Sequence, residues 1–191
     1  MGLDSAINQL WSLDLSKANQ RDEFRWRELT PLPGPTRALN LTVAQHNGDS
    51  DCVYVISGRR QATEGFDLLK DTWEYSPKKR SWRQRADAPR CLMAGSALGL
   101  GKSKVYVFGG DHGELFGRAD ELKDNHPGFI RKAIAYDAAA NLWSDAGTTT
   151  SNQVTTIAVE LDGAAVIASG EIRPRVRTPA VYRVRPVTTE R

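Results

Sequence analysis

The sequence predicts an all-β fold, a β-propeller with about three to four four-stranded blades present, and three observations carry that prediction. Three short apolar runs each end in a small residue and a glycine: VYVISG at 53–58, VYVFGG at 105–110 and AVIASG at 165–170. A tyrosine precedes a tryptophan by seven residues twice, in WEYSPKKRSW (Tyr75, Trp82) and in IAYDAAANLW (Tyr136, Trp143). The marks recur every 52 to 61 residues, from Tyr54 to Tyr106 and from Trp26 through Trp82 to Trp143. A period near 50 residues, filled with short strands, is the signature of propeller blades.

The elements follow in order along a single propeller region, 1–191. INQLWSLDL and FRWREL, within a partial blade at 7–29, supply the last two strands of one unit. Residues 37–85 hold a full blade, in which Ser76-Pro77-Lys78-Lys79 turns the chain between the tyrosine and tryptophan strands. Residues 90–145 hold a second blade, lengthened by an inserted loop at 111–132, and residues 152–185 hold three strands of a last one. The runs are five or six residues long, rich in Val, Ile, Tyr and Phe, and bounded by Gly, Pro, Asn and Asp, which is a strand pattern. The small-Gly pair implies positive φ or a close backbone approach. The Tyr and Trp residues are core, packed between sheets. Closed propellers use at least four blades, and an unclosed one leaves bare edges. The chain therefore reads as part of a longer propeller, with self-association of two copies as the alternative.

Bulk properties exclude several classes. The net charge is +3 with no long basic run, which disfavours nucleic acid as the main partner. No apolar stretch is long enough to span a bilayer, so no membrane partner is expected. Cys52 and Cys91 read as two buried thiols, too few for a disulfide framework. MGLDSAINQLWSLDLSK is not a signal peptide, which places the protein in the cytoplasm if Met1 is the native start.

Chemistry is expected on one rim, where the turn before each first strand meets the turn after each glycine-ended strand. The first kind of turn carries Arg37 and Arg90; the second carries Arg59 and Arg60, then Asp111 and His112, then Glu171, Arg173, Arg175 and Arg177. The insertion adds His126 and Arg131. Guanidinium groups clamp carboxylates two-pronged, so the rim suits an anionic, hydroxyl-rich small molecule. Arg37 and Arg90 fit a substrate contact and a blade-to-blade contact equally well. Arg59 and Arg60 read as solvated, Asp111 as a turn cap, and His126 as a loop residue bonded to backbone. A zinc pair of His112 and His126 lacks a third ligand.

VYVFGG, the Tyr-x6-Trp pair and the arginine of APR (88–90) resemble the kelch repeat over about residues 7–185. SGEIRPRVRTPAV (169–181) resembles a segment of the sialic acid mutarotases, six-bladed kelch propellers described as N-acetylneuraminate epimerases. GGDHGEL and HPGFIRKAIAYD are similar to segments of that family's circularly permuted branch, whose carboxyl-terminal half this chain would be. The resemblance implies an isomerase that interconverts anomers of a sialic acid or related sugar acid. Glu171 would be the proton acceptor, assisted by His112 or water. Arg177 would contact substrate, with Arg173, Arg90, Arg37, Asp111 and Arg131 as further binding residues. No metal or organic cofactor is required, and family members are often exported. Where the family has glycine after the proline, this chain has Arg175, which would strain a positive-φ turn and crowd the pocket. The alternative is a noncatalytic kelch module that binds a protein or glycan, since fold does not imply function. No His, Tyr and Cys set supports copper oxidase chemistry on this frame.

Overall fold

A computed structural model describes residues 6–185. Fifteen strands run along them, among them a half-blade hairpin of β1 (Leu10–Ser12) and β2 (Arg27–Leu29). One four-stranded antiparallel blade follows in the order β3 (Leu41–His46), β4 (Asp51–Gln61), β5 (Phe66–Ser76) and β6 (Ser81–Arg85). A second has β7 (Ser96–Leu100), β8 (Lys104–Phe108), β9 (Lys132–Asp137) and β10 (Leu142–Thr148). The last sheet has three strands, β11 (Ala158–Leu161), β12 (Ala164–Ala168) and β15 (Val181–Val184). Between β12 and β15 the chain makes a small hairpin of β13 (Glu171–Arg173) and β14 (Val176–Arg177). The inner strands β3, β7 and β11 lie side by side, so the sheets follow one another as propeller blades.

The core lies between the blades. Tyr54, Ile56, Leu92, Val105, Val107 and Tyr136 are fully buried in one apolar cluster joining the two complete sheets. Tyr75 packs tilted against Trp82 at 5.1 Å between centroids, and Tyr136 against Trp143 at 5.0 Å. Each tryptophan also bonds to the preceding unit. The indole of Trp82 donates to the carbonyl of Thr30 at 2.8 Å, and that of Trp143 to Ala86 at 2.9 Å. Both acceptors lie four residues beyond the previous unit's tryptophan, Trp26 and Trp82.

Each glycine-ended strand leaves its sheet through two successive positive-φ residues: Ser57-Gly58, Gly109-Gly110 and Ser169-Gly170. The second glycine is required in all three, because a Cβ there would lie 2.7 to 2.8 Å from the carbonyl oxygen of Ala38, Leu92 or Val154. This close approach lets the following residue bridge to the blade's entry turn, as Ala38–Arg59, Met93–Asp111 and Val154–Glu171. Three further left-handed residues, Leu39, Ala94 and Thr155, stand beside these bridges. The Ala94 N–H donates to the Leu39 carbonyl and the Thr155 N–H to the Ala94 carbonyl, both at 2.8 Å. Backbone bonds thus run from blade to blade around the propeller axis.

Two carboxylates, Glu74 buried and Asp71 partly buried, fix the first complete blade. Asp71 accepts both terminal nitrogens of Arg37 at 2.7 Å and the Trp73 indole at 2.6 Å. Glu74, 1% exposed, accepts from Arg83, Asn47 and Tyr54, with Arg85 at 3.4 Å. Burial pushes both carboxyls up, but the Arg37 and Trp73 bonds at Asp71, and the Arg83, Asn47 and Tyr54 bonds at Glu74, outweigh it. Both end below their ordinary values of 3.8 and 4.5. A lowered folded pKa gives stability that is complete above the unfolded value and is lost as pH falls through the folded one. The urea midpoint is therefore expected to stay flat from pH 7 to about 5 and to fall below about pH 4. Constant stability down to about pH 3 would contradict the pairing.

Candidate functional site

The blade-to-blade bonds build the floor of a cavity of ≈ 160 Å³ at one end of the propeller axis. Leu39, Ala94 and Thr155 line it, and so do the bridging residues Asp111 and Glu171. Arg59, Asp111 and Glu171 occupy one repeated position on three successive blades. The insertion supplies the cover through a helical turn α1 (Ala119–Leu122) flanked by single 3-10 turns, which places Leu115, Phe116, Ala119, His126 and Phe129 on the cavity wall.

Glu171 is held by its backbone, which exchanges two 2.9 Å hydrogen bonds with Val154. Its carboxylate pairs with Arg177 at 3.2 Å across the β13–β14 hairpin. Asp111 both lines the cavity and caps its own turn, accepting the Gly113 N–H at 2.8 Å. His126 is buried, and its Nδ1 accepts the Gly128 N–H at 3.1 Å, which in the neutral ring leaves the proton on Nε2.

The other arginines of the rim have structural partners. Arg173 donates to the Asp124 carbonyl and carboxylate at 2.6 and 2.8 Å, and Arg175 pairs with Asp120, so both tie the hairpin to the insertion. Arg37 is buried, and Asp71, the Ser57 carbonyl and the Pro35 carbonyl accept from all three of its guanidinium nitrogens. Of the two readings open for Arg37, these contacts favour the blade-to-blade one. Arg90, in the next blade's entry turn but two positions earlier relative to the bridge, donates to the Lys132 carbonyl, and Arg131 is exposed. Neither Arg90 nor Arg131 lines the cavity. His112 pairs with Glu114 at 3.0 Å and also stands outside the lining. Arg59, expected to be solvated, instead lies over the rings of Phe66 and Phe116 at 4.5 and 4.2 Å. Among the described residues, no group of three or more His, Cys, Asp or Glu is placed to hold a metal ion.

The turn at Pro174-Arg175 has the form the sequence led one to expect. Arg175 has φ +65°, the left-handed region that suits glycine after a proline. Its side chain is 77% exposed and directed to Asp120, so it does not crowd the cavity. Arg175→Gly removes ~1–2 kcal/mol of strain, offset by ~0.5–1 kcal/mol of added unfolded-state freedom, while the exposed ion pair contributes little. The expected outcome is a small gain in the urea midpoint. A clear loss would show that the Asp120 pair holds the hairpin.

The residues that sequence reasoning under-weighted are His126 and the apolar cover, Phe116 and Phe129. The signal for His126 was its place before Pro127-Gly128, a turn that aims a backbone N–H back at the ring.

Comparison with known proteins bears on the same architecture. No protein-family model matches the chain. The N-acetylneuraminate epimerase of Yersinia enterocolitica is 27% identical over 220 aligned positions, covering 100% of this chain and 53% of that protein. The corresponding figures are 25% identity, 96% and 52% for the Salmonella typhi epimerase, and 27%, 94% and 52% for that of Brucella melitensis. The solved structure of YjhT superposes with a TM-score of 0.73 at 21% identity, over 99% of this chain and 62% of that one. The chain spans about half the length of the curated relatives it matches. It is a kelch-type propeller segment with the fold of YjhT, homologous to N-acetylneuraminate epimerases over about half of their length.

Proposed function

We propose that the protein containing this chain is a mutarotase-type isomerase acting on a sialic acid or related sugar acid. The observation that carries this reading is Glu171, a carboxylate fixed by its backbone, paired with one arginine, and lining the same cavity as Asp111 and His126. Homology to N-acetylneuraminate epimerases supports the substrate class.

Anomer exchange needs a proton taken from the anomeric hydroxyl and one given to the ring oxygen as the bond from that oxygen to the anomeric carbon breaks. The open-chain form then rotates and recloses by the reverse transfers. A single positioned carboxylate serves as acceptor and then donor, and the Nε2–H of His126 is a second proton carrier on the same wall. Arg177 holds Glu171 on the hairpin and, with its guanidinium largely exposed, offers the cation for the sugar's carboxylate.

The test is exchange spectroscopy on the anomeric signals of N-acetylneuraminate, with and without the protein. Accelerated exchange that depends on protein concentration is the expected result. Binding of a glycan or protein at this rim with no acceleration would favour the noncatalytic kelch module instead.

A further inference from the structure

Arg59 follows Ser57-Gly58 as Asp111 follows Gly109-Gly110 and Glu171 follows Ser169-Gly170, and each bridges to its blade's entry turn. The same backbone geometry therefore delivers an arginine, an aspartate and a glutamate to one level around the propeller axis. Asp111 caps its turn, and Glu171 pairs with Arg177. Arg59 has no such partner. Its Nε and Nη1 are buried, and among the described residues no acceptor meets either of them. Asp67, on the paired strand, is taken by Arg60 at 2.6 Å.

Two rings flank the guanidinium instead. Its central carbon lies 4.5 Å from the Phe66 centroid and 4.2 Å from that of Phe116, and the two rings meet edge to face at 5.4 Å. Aromatic faces attract a cation, yet they give its N–H groups no oxygen to bond. Burial pushes the guanidinium below its ordinary range, with Asp111 pulling the other way. A buried donor left unmet is costly, and an acceptor brought by a ligand removes that cost.

Phe116 is the wall between Arg59 and the Glu171 cavity, since its ring meets the guanidinium and also lines the cavity. It stands on a single 3-10 turn, Phe116–Arg118, whose N-cap makes no side-chain hydrogen bond. Turning that ring about its side-chain torsions joins the aromatic corner to the cavity. The opened corner presents N–H donors beside apolar faces, which suits a carbonyl oxygen carried next to a methyl group. Glu171 works at the anomeric carbon, which in these sugar acids also bears the carboxylate, and Arg177 stands beside it. Arg59 lies two blades round the axis from there, towards the remote side of the sugar ring. That side of N-acetylneuraminate carries the acetamido group.

We propose that Arg59 is a specificity-determining residue of the Glu171 site, which donates its buried N–H groups to the acyl carbonyl oxygen of an N-acylated sugar acid. The acyl methyl lies in the aromatic corner, against Phe66. This inference rests on the sugar-acid reading of the site and adds to it the group by which the substrate is told from its unacylated relatives.

The experiment is titration calorimetry of the protein with N-acetylneuraminate and with its deaminated analogue, which has a hydroxyl in place of the acetamido group. The wild-type protein is expected to bind the acylated sugar at least about tenfold more tightly, and this comparison needs no variant. Arg59→Met keeps an apolar stem between the rings and removes the donors, so it is expected to bring the acylated sugar down to the level of the analogue. Equal binding of the two sugars by the wild type overturns the proposal. So does a preference that survives Arg59→Met, or an equal weakening of both sugars in that variant. If neither sugar binds the wild-type protein, the sugar-acid reading of the site falls as well, so the two failures are told apart.

Discussion

Glu171→Gln is expected to lower the rate of sialic acid anomer exchange by about 10²–10⁴-fold, the range that a positioned general acid–base contributes. The substitution keeps the shape of the side chain and removes its ability to carry a proton. The hairpin should survive, because Glu171 is placed by its two backbone bonds to Val154 and by the pairing of β13 with β14. The loss should therefore fall on turnover, with KM little changed and the near-ultraviolet circular dichroism intact. His126→Gln is the informative companion. It keeps a donor on the wall, so an equal loss would make His126 a proton carrier and an unchanged rate would leave the relay to Glu171 and water. Exchange at the wild-type rate in Glu171→Gln would remove the carboxylate from the mechanism.

The second large effect is on stability. Arg37→Met leaves the Asp71 carboxylate in the blade with only the Trp73 indole and is expected to cost about 3–5 kcal/mol at pH 7. A domain of ordinary stability, about 5–15 kcal/mol, would be brought near unfolding. Replacing the whole pair, Arg37→Met with Asp71→Leu, is expected to recover most of the loss, because the penalty comes from the abandoned charge. The fold supplies its own comparison. Arg90 comes from the corresponding entry turn, two positions earlier relative to the bridge, and meets the Lys132 carbonyl and no carboxylate, so Arg90→Met should cost much less. Urea unfolding of the three variants decides this, and equal losses at Arg37 and Arg90 would contradict it.

These residues also show what was legible in the sequence. The small-Gly pairs and the Tyr-x6-Trp spacing report on backbone geometry and on packing between adjacent strands, both of which are local, so the blades could be read directly. Arg37 reads as a repeated rim arginine, yet its partner lies 34 residues away on another strand with nothing in the local pattern to mark it. Arg173 looked like a substrate contact, and Arg175 like a residue crowding the pocket, because their acids, Asp124 and Asp120, sit in an insertion whose path no periodicity reveals. Glu171 was legible because its neighbours are sequence neighbours: the glycine before it and the hairpin after it place the carboxylate with little help from elsewhere. The apolar cover formed by Phe116 and Phe129 depends on how the insertion folds back, and could not be read.

The chain of backbone bonds through Leu39, Ala94 and Thr155 has a direction. Every link passes an N–H of the later blade to a carbonyl of the earlier one. Among the described residues the series therefore starts with the N–H of Leu39 and stops with the carbonyl of Thr155, like a zip with unlike ends. Any unit that extends this series must therefore present its unlike end, as two half-rings related by a two-fold along the propeller axis would do at both junctions. Growth along it is head to tail, and such contacts make either a closed ring or an endless fibre, depending only on the rotation between successive units. A propeller segment of this kind carries in its polarity both the rule for its own completion and the risk of failing to stop.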